Sequence, residues 1–182
     1  MVLDQIEGGK QKMLFETFYP DCWMDSTYEI DFDKLYQEGY RGLIFDIDNT
    51  LVPHGAPADD RAKALFAHLK ELGFQCCLLS NNQIERVTMF NKDVQVHYIE
   101  DAHKPSRKNY MKAMELMHTK LKNTIFIGDQ LFTDVYGAKR CGMRNILVKP
   151  IHPKEEIQIV FKRYLEKIVL YFYQKNMKSG RI

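Results

Sequence analysis

Gly42-Leu43-Ile44-Phe45-Asp46-Ile47-Asp48-Asn49-Thr50-Leu51-Val52-Pro53 runs from an apolar strand pattern straight into a polar turn. Leu43, Ile44 and Phe45 with Ile47 make a short apolar run, the pattern of a strand covered on both faces, as in a parallel sheet flanked by helices. The run turns polar abruptly. In open α/β sheets ligands occupy the crevice beyond the carboxyl ends of the strands, so a strand ending in Asp46 and Asp48 points to a site there. Residues two apart share a face of an extended chain, which aims both carboxylates at one small volume. Two bare carboxylates that close repel, and a proton or a cation has to sit between them. The alternative is a polar turn in which Asp and Asn bond their own backbone, and partners elsewhere in the chain decide between the two.

Outward from this stretch, helical and strand patterns alternate. Downstream, Ala62, Leu65, Phe66, Leu69 and Leu72 recur at spacings of three and four, which predicts a helix over 57–73 closed by Gly73. Residues 74–79 read as a second strand ending at Ser80-Asn81-Asn82. A helix through Arg86 and Phe90 leads to a weaker third strand near 94–99. Tyr110, Ala113, Met114 and Met117 mark another helix before Thr124-Ile125-Phe126-Ile127, a strand ending in Gly128-Asp129. A helix over about 132–141 and a fifth strand, Asn145-Ile146-Leu147-Val148, follow. Upstream, Asp31 is placed to cap a short helix that stops at Gly39. Phe15, Phe18, Tyr19 and Trp23 read as an aromatic patch packed on the domain. The alternation predicts a three-layer α/β/α Rossmann-like domain with a mainly parallel five-stranded sheet.

The chain has 182 residues, enough for one substantial core and too few for two. It divides into a domain over 1–150, with a loose tail at about 1–12, and a helical extension over 151–182. A formal net charge of +2, with 27% charged residues, gives no reason to expect a nucleic-acid partner. Cys22, Cys76, Cys77 and Cys141 form no Cys-x-x-Cys pair, and two fall inside a core strand, so free thiols in a reducing, cytoplasmic setting are expected. No run reaches the ~18 apolar residues of a membrane span. From Lys154 to about Lys175, however, Ile157, Val160, Phe161, Tyr164, Leu165, Ile168, Val169 and Phe172 recur at helical spacing among basic residues. Two readings stay open: a helix packed on its own domain, favoured for the first turns, and peripheral contact with a membrane or a partner beyond Ile168.

The strand ends carry the chemistry. Asp46 and Asp48 follow the first strand, Ser80 the second, and Asp129 with Asp134 the fourth, while Lys104 can enter the same crevice from a loop. Carboxylates without a Cys or His companion suit a hard cation that prefers oxygen, and Mg²⁺ is the usual choice in phosphate chemistry. A hydroxyl and an ammonium beside it suit the oxygens of a phosphoryl group. Asp46 would attack phosphorus as a nucleophile while Asp48 serves as general acid and then general base. His54 follows the first motif closely, although a loop histidine is more often solvated. Arg107, near Lys104, is placed either to meet a distal substrate group or to be solvated on its helix.

Asp46-Ile47-Asp48-Asn49-Thr50, Ser80, Lys104 and Gly128-Asp129-Gln130-Leu131-Phe132-Thr133-Asp134 resemble, in order, the four motifs of the haloacid dehalogenase (HAD) superfamily of phosphatases. The Ser80-Asn81-Asn82 and Lys104-Pro105 forms look like its YqeG-type branch, subclass IIIA, over about 18–150. The resemblance implies Asp46 as nucleophile and Asp48 as general acid/base, with Ser80 and Lys104 binding phosphate and Thr50 and Asn81 holding phosphate and loops. It implies Mg²⁺ on Asp46, Asp129 and the Asp48 carbonyl, with Asp134 supporting. A dehalogenase would not need Asp48. Superfamily members often carry a cap domain, but the intervals 50–80 and 80–104 are too short for one, so an open site is expected. Eukaryotic relatives in this branch are phosphatidylglycerophosphate phosphatases, which makes a phospholipid headgroup one expected substrate. A small phosphorylated metabolite or a macromolecule is an alternative, and a non-catalytic phosphate- and metal-binding scaffold is the rival from another class.

Overall fold

The computed structural model describes residues 15–152 and 157–179, without the side chains of 157–163; the tail expected at 1–12 lies outside the described residues. In chain order the elements are β1 (Cys22–Met24), a 3₁₀ turn (Thr27–Glu29), α1 (Phe32–Gln37), β2 (Gly42–Phe45), α2 (Asp60–Leu72), β3 (Gln75–Leu79), α3 (Ile84–Val94), β4 (His97–Ile99) and α4 (Arg107–Leu116). After them come β5 (Thr124–Gly128), a π-helical turn (Leu131–Val135), α5 (Tyr136–Cys141), β6 (Arg144–Val148) and α6 (Ile157–Lys178).

All strands pair in parallel, in the order β1-β6-β5-β2-β3-β4. From β2 the chain builds outward through β3 to β4, then returns to β2's other edge with β5, so the order reverses between β2 and β5. That reversal opens a crevice at the carboxyl ends of these two central strands. Every residue of β2 is buried, because alternate side chains meet helices on opposite sides of the sheet. Leu43 and Phe45 join Phe32, Phe66, Leu69 and Phe90 in one layer. Ile44 joins Tyr110, Ala113, Met114 and Ala138 in the other.

Local chemistry sets the element ends. Asp31 accepts from Lys34 N at 2.9 Å to cap α1, and Asp59 accepts from Ala62 N at 2.8 Å to cap α2. Gly73 closes α2 with φ of 93°, a left-handed conformation that a residue with a Cβ adopts at a cost.

The sheet has six strands, which corrects the expected five. The additional one, Cys22-Trp23-Met24, is three half-buried residues long and lies at an edge against β6. Its pairing depends on a strand 124 residues away, Cys22 standing opposite Ile146, and three residues carry no periodicity to reveal it.

The last helix packs on the domain beyond Ile168 as well. Val169 and Tyr173 are buried against Tyr19, Leu131, Val135 and Leu147, and Asn176 Nδ2 donates to the Tyr19 hydroxyl at 3.1 Å. Its opposite side leaves Tyr164, Leu165, Ile168 and Tyr171 exposed. No helix of the described residues is long and apolar enough to cross a membrane.

Phe45 is fully buried, with its ring 5.4 Å from that of Phe66 and 6.2 Å from that of Phe32. Phe45→Ala should lower unfolding stability by about 3–5 kcal/mol in urea titrations monitored by circular dichroism, since a central strand has little room to collapse onto the cavity.

Candidate active site

β2 ends at Phe45, yet Asp46 N still donates to Ile127 O at 3.0 Å, so sheet pairing carries one residue further and holds the Asp46 backbone against β5. The chain then turns. Thr50 N and Leu51 N both donate to Ile47 O, and Asn49 takes φ of 61°. Asp48 makes an isolated bridge to Val52 past the strand end, and the two carboxylates enter different surroundings.

Asp129 follows β5 directly, at the strand adjacent to β2. Asp134 lies on the π-helical turn beyond it and folds back, its Oδ2 accepting from Gln130 N at 3.1 Å. A Cβ on Gly128 would collide with the Asp134 carboxylate, so this close return requires glycine. One oxygen from each of Asp46, Asp129 and Asp134 falls within 4.8 Å of the others, and all three residues are buried. Thr50 Oγ1 donates to Asp129 Oδ1 at 3.2 Å.

Lys104 enters from the loop between β4 and α4. Its Nζ donates to Asp46 Oδ1 at 2.6 Å and lies 2.8 Å from Asp134 Oδ1, with the side chain 4% exposed. Asn81 grips the same residue's backbone: its Oδ1 accepts from Lys104 N at 2.7 Å and its Nδ2 donates to Lys104 O at 3.4 Å. Asn81 thus holds the loop that delivers the ammonium. Ser80, at the end of β3, is buried, and its hydroxyl oxygen accepts from Asn82 N and Nδ2 at 3.2 and 3.1 Å.

One ammonium among three buried carboxylates leaves two negative charges, matching one divalent cation, and an all-oxygen donor set is the kind Mg²⁺ takes. The residues fit such an ion. Burial pushes Asp46 up to about 6; Lys104 opposes the rise, and Asp134 and then Asp48 add to it. Burial alone would lower the Lys104 pKa, but Asp134 and Asp46 outweigh it and hold the ammonium above the usual lysine value.

The Asp48 carboxylate belongs to a separate set. Its Oδ1 accepts from Arg86 Nη2 at 2.7 Å, Arg86 Nε at 3.2 Å and Gly55 N at 2.9 Å, and its Oδ2 accepts from Asn82 Nδ2. Arg86 Nη1 is buried without a hydrogen-bond partner among the described residues. His54 Nδ1 lies 3.7 Å from Asp48 Oδ2, on a half-exposed side chain. Sequence pattern places Arg86 on its helix and assigns it no role at the site. The available signal was an arginine in the first turn of the helix that follows Ser80-Asn81-Asn82, next to a strand end. Burial pushes the Cys76 and Cys77 thiols up to about 12, so neither serves as a thiolate nucleophile.

A HAD-hydrolase-like family model matches residues 102–156. The chain is 35% identical to the protein named Probable phosphatase YqeG of Bacillus subtilis (strain 168), over 87% of this chain and 92% of that one. It is 23% identical to Phosphatidylglycerophosphate phosphatase 1, chloroplastic/mitochondrial, of Arabidopsis thaliana, over 83% of this chain and 46% of that one. Among solved structures, an uncharacterized protein from Listeria monocytogenes serotype 4b superposes with a TM-score of 0.51 at 16% identity, covering 64% of this chain and 84% of that one. That last similarity concerns the fold alone.

The raised Asp46 value has a consequence for stability. An unfolded Asp titrates near 3.8 and the folded one near 6, so between these values the folded state binds the extra proton. Stability from this group is therefore greatest at low pH and falls as pH rises from about 4 to about 6. In chelator, scanning calorimetry should find this fall missing in Asp46→Asn, which should melt about 6–12 °C above the parent at pH 7. Parallel curves for the two proteins would contradict the reading.

Proposed function

The chain belongs to the YqeG-type branch of the haloacid dehalogenase superfamily and is a phosphatase of phosphoric monoesters; on that premise we propose that it works through a covalent aspartyl phosphate on Asp46. One observation carries the reading: Asp46, Asp129, Asp134 and the Lys104 ammonium converge at the carboxyl ends of the two central strands. Asp46, Asp129 and the Asp48 carbonyl would hold Mg²⁺, with Asp134 supporting from the same cluster. When bound, the ion supplies the positive charge that lets an anionic nucleophile and an anionic phosphoryl group approach one another.

Lys104 and the Ser80 hydroxyl, with Thr50 at the neighbouring turn, bind the phosphoryl oxygens, while Asn81 keeps the Lys104 loop in place. An Asp46 oxygen attacks phosphorus, the ester P–O bond breaks, and the departing oxygen takes its proton from Asp48. A water then gives a proton to Asp48 as its oxygen attacks phosphorus. The P–O bond to Asp46 breaks, releasing inorganic phosphate, freeing the Asp46 carboxylate and leaving Asp48 protonated as it was at the start. Asp48 reaches the departing oxygen by giving up one of the donors that now surround it. Arg86 supplies two of those donor atoms and has a third nitrogen in need of an acceptor.

For the substrate class we propose a phosphomonoester on a large or surface-bound object, a phospholipid headgroup such as phosphatidylglycerophosphate. Only α2, β3 and their loops separate Asp48 from Ser80, and only α3 and β4 separate Ser80 from Lys104, so no inserted domain covers the site among the described residues. The outer side of α6 exposes Tyr164, Leu165, Ile168 and Tyr171 beside Lys167, Lys175 and Lys178, a composition suited to an anionic bilayer surface. The name of the Arabidopsis relative agrees with this substrate.

The purified protein should hydrolyse p-nitrophenyl phosphate with added Mg²⁺, lose that activity in EDTA, and fall by about a thousandfold or more in Asp46→Asn. Background activity in all three would leave a scaffold. Phosphate release from phosphatidylglycerophosphate in mixed micelles tests the substrate separately, and no release there beside hydrolysis of the small ester removes the lipid proposal alone.

A further inference from the structure

We propose that Glu166, on α6, is a positioning residue for the metal-binding loop: its carboxylate fixes the Leu131 amide, and with it the geometry of Asp129 and Asp134. The proposal rests on the phosphatase reading above only for the use to which that geometry is put.

Glu166 shares a helical face with Val169, Tyr173 and Asn176, the face turned toward the domain. A carboxylate there is costly unless it is satisfied. It is 4% exposed, and its Oε1 accepts from Leu131 N at 2.7 Å, across 35 residues of chain. A charged acceptor makes this bond stronger than a neutral one. The amide it engages opens the π-helical turn, where backbone N–H groups lack partners within the turn. Leu131 stands two residues after Asp129 and three before Asp134, so holding its peptide plane restricts the segment from which both carboxylates project.

Two further observations place α6 on this loop. Glu166 and Asp129 line one cavity of about 140 Å³, together with Trp23, Leu147 and Leu170. On the same face, Val169 and Tyr173 pack with Leu131 and Val135. Apolar contact sets the helix against the turn, and Glu166 supplies the directional bond. The exposed outer side of α6 takes no part, so a bilayer could engage it while Glu166 stays docked.

The test compares hydrogen exchange at the Leu131 amide by NMR and Mg²⁺ affinity by calorimetry in the full chain. Four variants are needed: Glu166→Ala, Glu166→Asp, Glu166→Gln and Asn176→Ala. Glu166→Ala and Glu166→Asp should each speed Leu131 exchange at least about tenfold and weaken Mg²⁺ binding about tenfold, the scale seen when a partner of a metal ligand is lost. Aspartate keeps the charge but lacks the reach, and it carries the test if the alanine variant does not fold. Glu166→Gln, which keeps reach and an acceptor oxygen without the charge, should restore both readouts most of the way from Glu166→Ala toward the parent. Asn176→Ala breaks the bond to Tyr19 at the far end of α6 and should lower the melting temperature while moving neither readout. Unchanged exchange in Glu166→Ala, failure of Glu166→Gln to restore it, or an equal effect from Asn176→Ala would overturn the proposal. A parent protein that binds no Mg²⁺ would remove the metal reading, and the exchange measurements would still decide whether Glu166 anchors the loop.

Discussion

A buried ammonium shared by two carboxylates governs this molecule. Lys104 bridges Asp46 and Asp134 at 2.6 and 2.8 Å, and Asp129 lies in the same cluster. Three carboxylates buried together repel one another and lose the hydration they had in the unfolded chain. One cation does not balance them, and the remaining negative charge gives the site its demand for a second. The stability given up here fits a general pattern in which functional sites are less than optimal for the folded state. A large core compensates, with β2 buried along its whole length.

The sheet makes this concentration of charge feasible. β2 and β5 are adjacent, but the chain between them runs out to the β4 edge and back, so Asp46 and Asp129 arrive from separate crossovers at one crevice. Backbone bonds take up the strain at the strand ends. Asp46 stays paired to β5 through its amide, Asn81 clamps Lys104, and glycine at 128 lets Asp134 fold underneath. The Asp48 carboxylate engages Arg86 and Asn82 instead of this cluster. Two carboxylates only two residues apart thus differ in environment, the condition under which one can serve as nucleophile and the other as acid and base.

α6 joins the same network from outside the sheet. Its inner face is a mixed one, with Val169 and Tyr173 in apolar contact and Glu166 and Asn176 making the polar bonds. The apolar residues on its other face remain in solvent. A helix with two apolar sides can be held to its own domain by one and offer the other to a surface, so the two roles do not compete.

The features legible along the chain follow from rules that act over a few residues. Apolar runs ending in Asp46, Ser80 and Asp129 mark strand ends, since both the pattern of burial and the loss of it are local. Asp31 and Gly73 bound helices because a cap requires only its own turn. From alternating strands and helices the layered parallel architecture follows, and with it the convergence of these strand ends. Tertiary structure alone decided the remainder. β1 exists because β6 offers an unpaired edge to three otherwise unremarkable residues. Period-two spacing put Asp46 and Asp48 on one face, but Lys104 engages the one and Arg86 with Asn82 the other. On α6, the three-four stripe marks a face through Tyr164, Leu165 and Ile168, yet these stay exposed, and contact with Tyr19, Leu131 and Leu147 buries the side of Val169 and Tyr173. In each case the deciding partner lies tens of residues or more away in sequence, and a pattern read along the chain carries no information about which distant group will meet it.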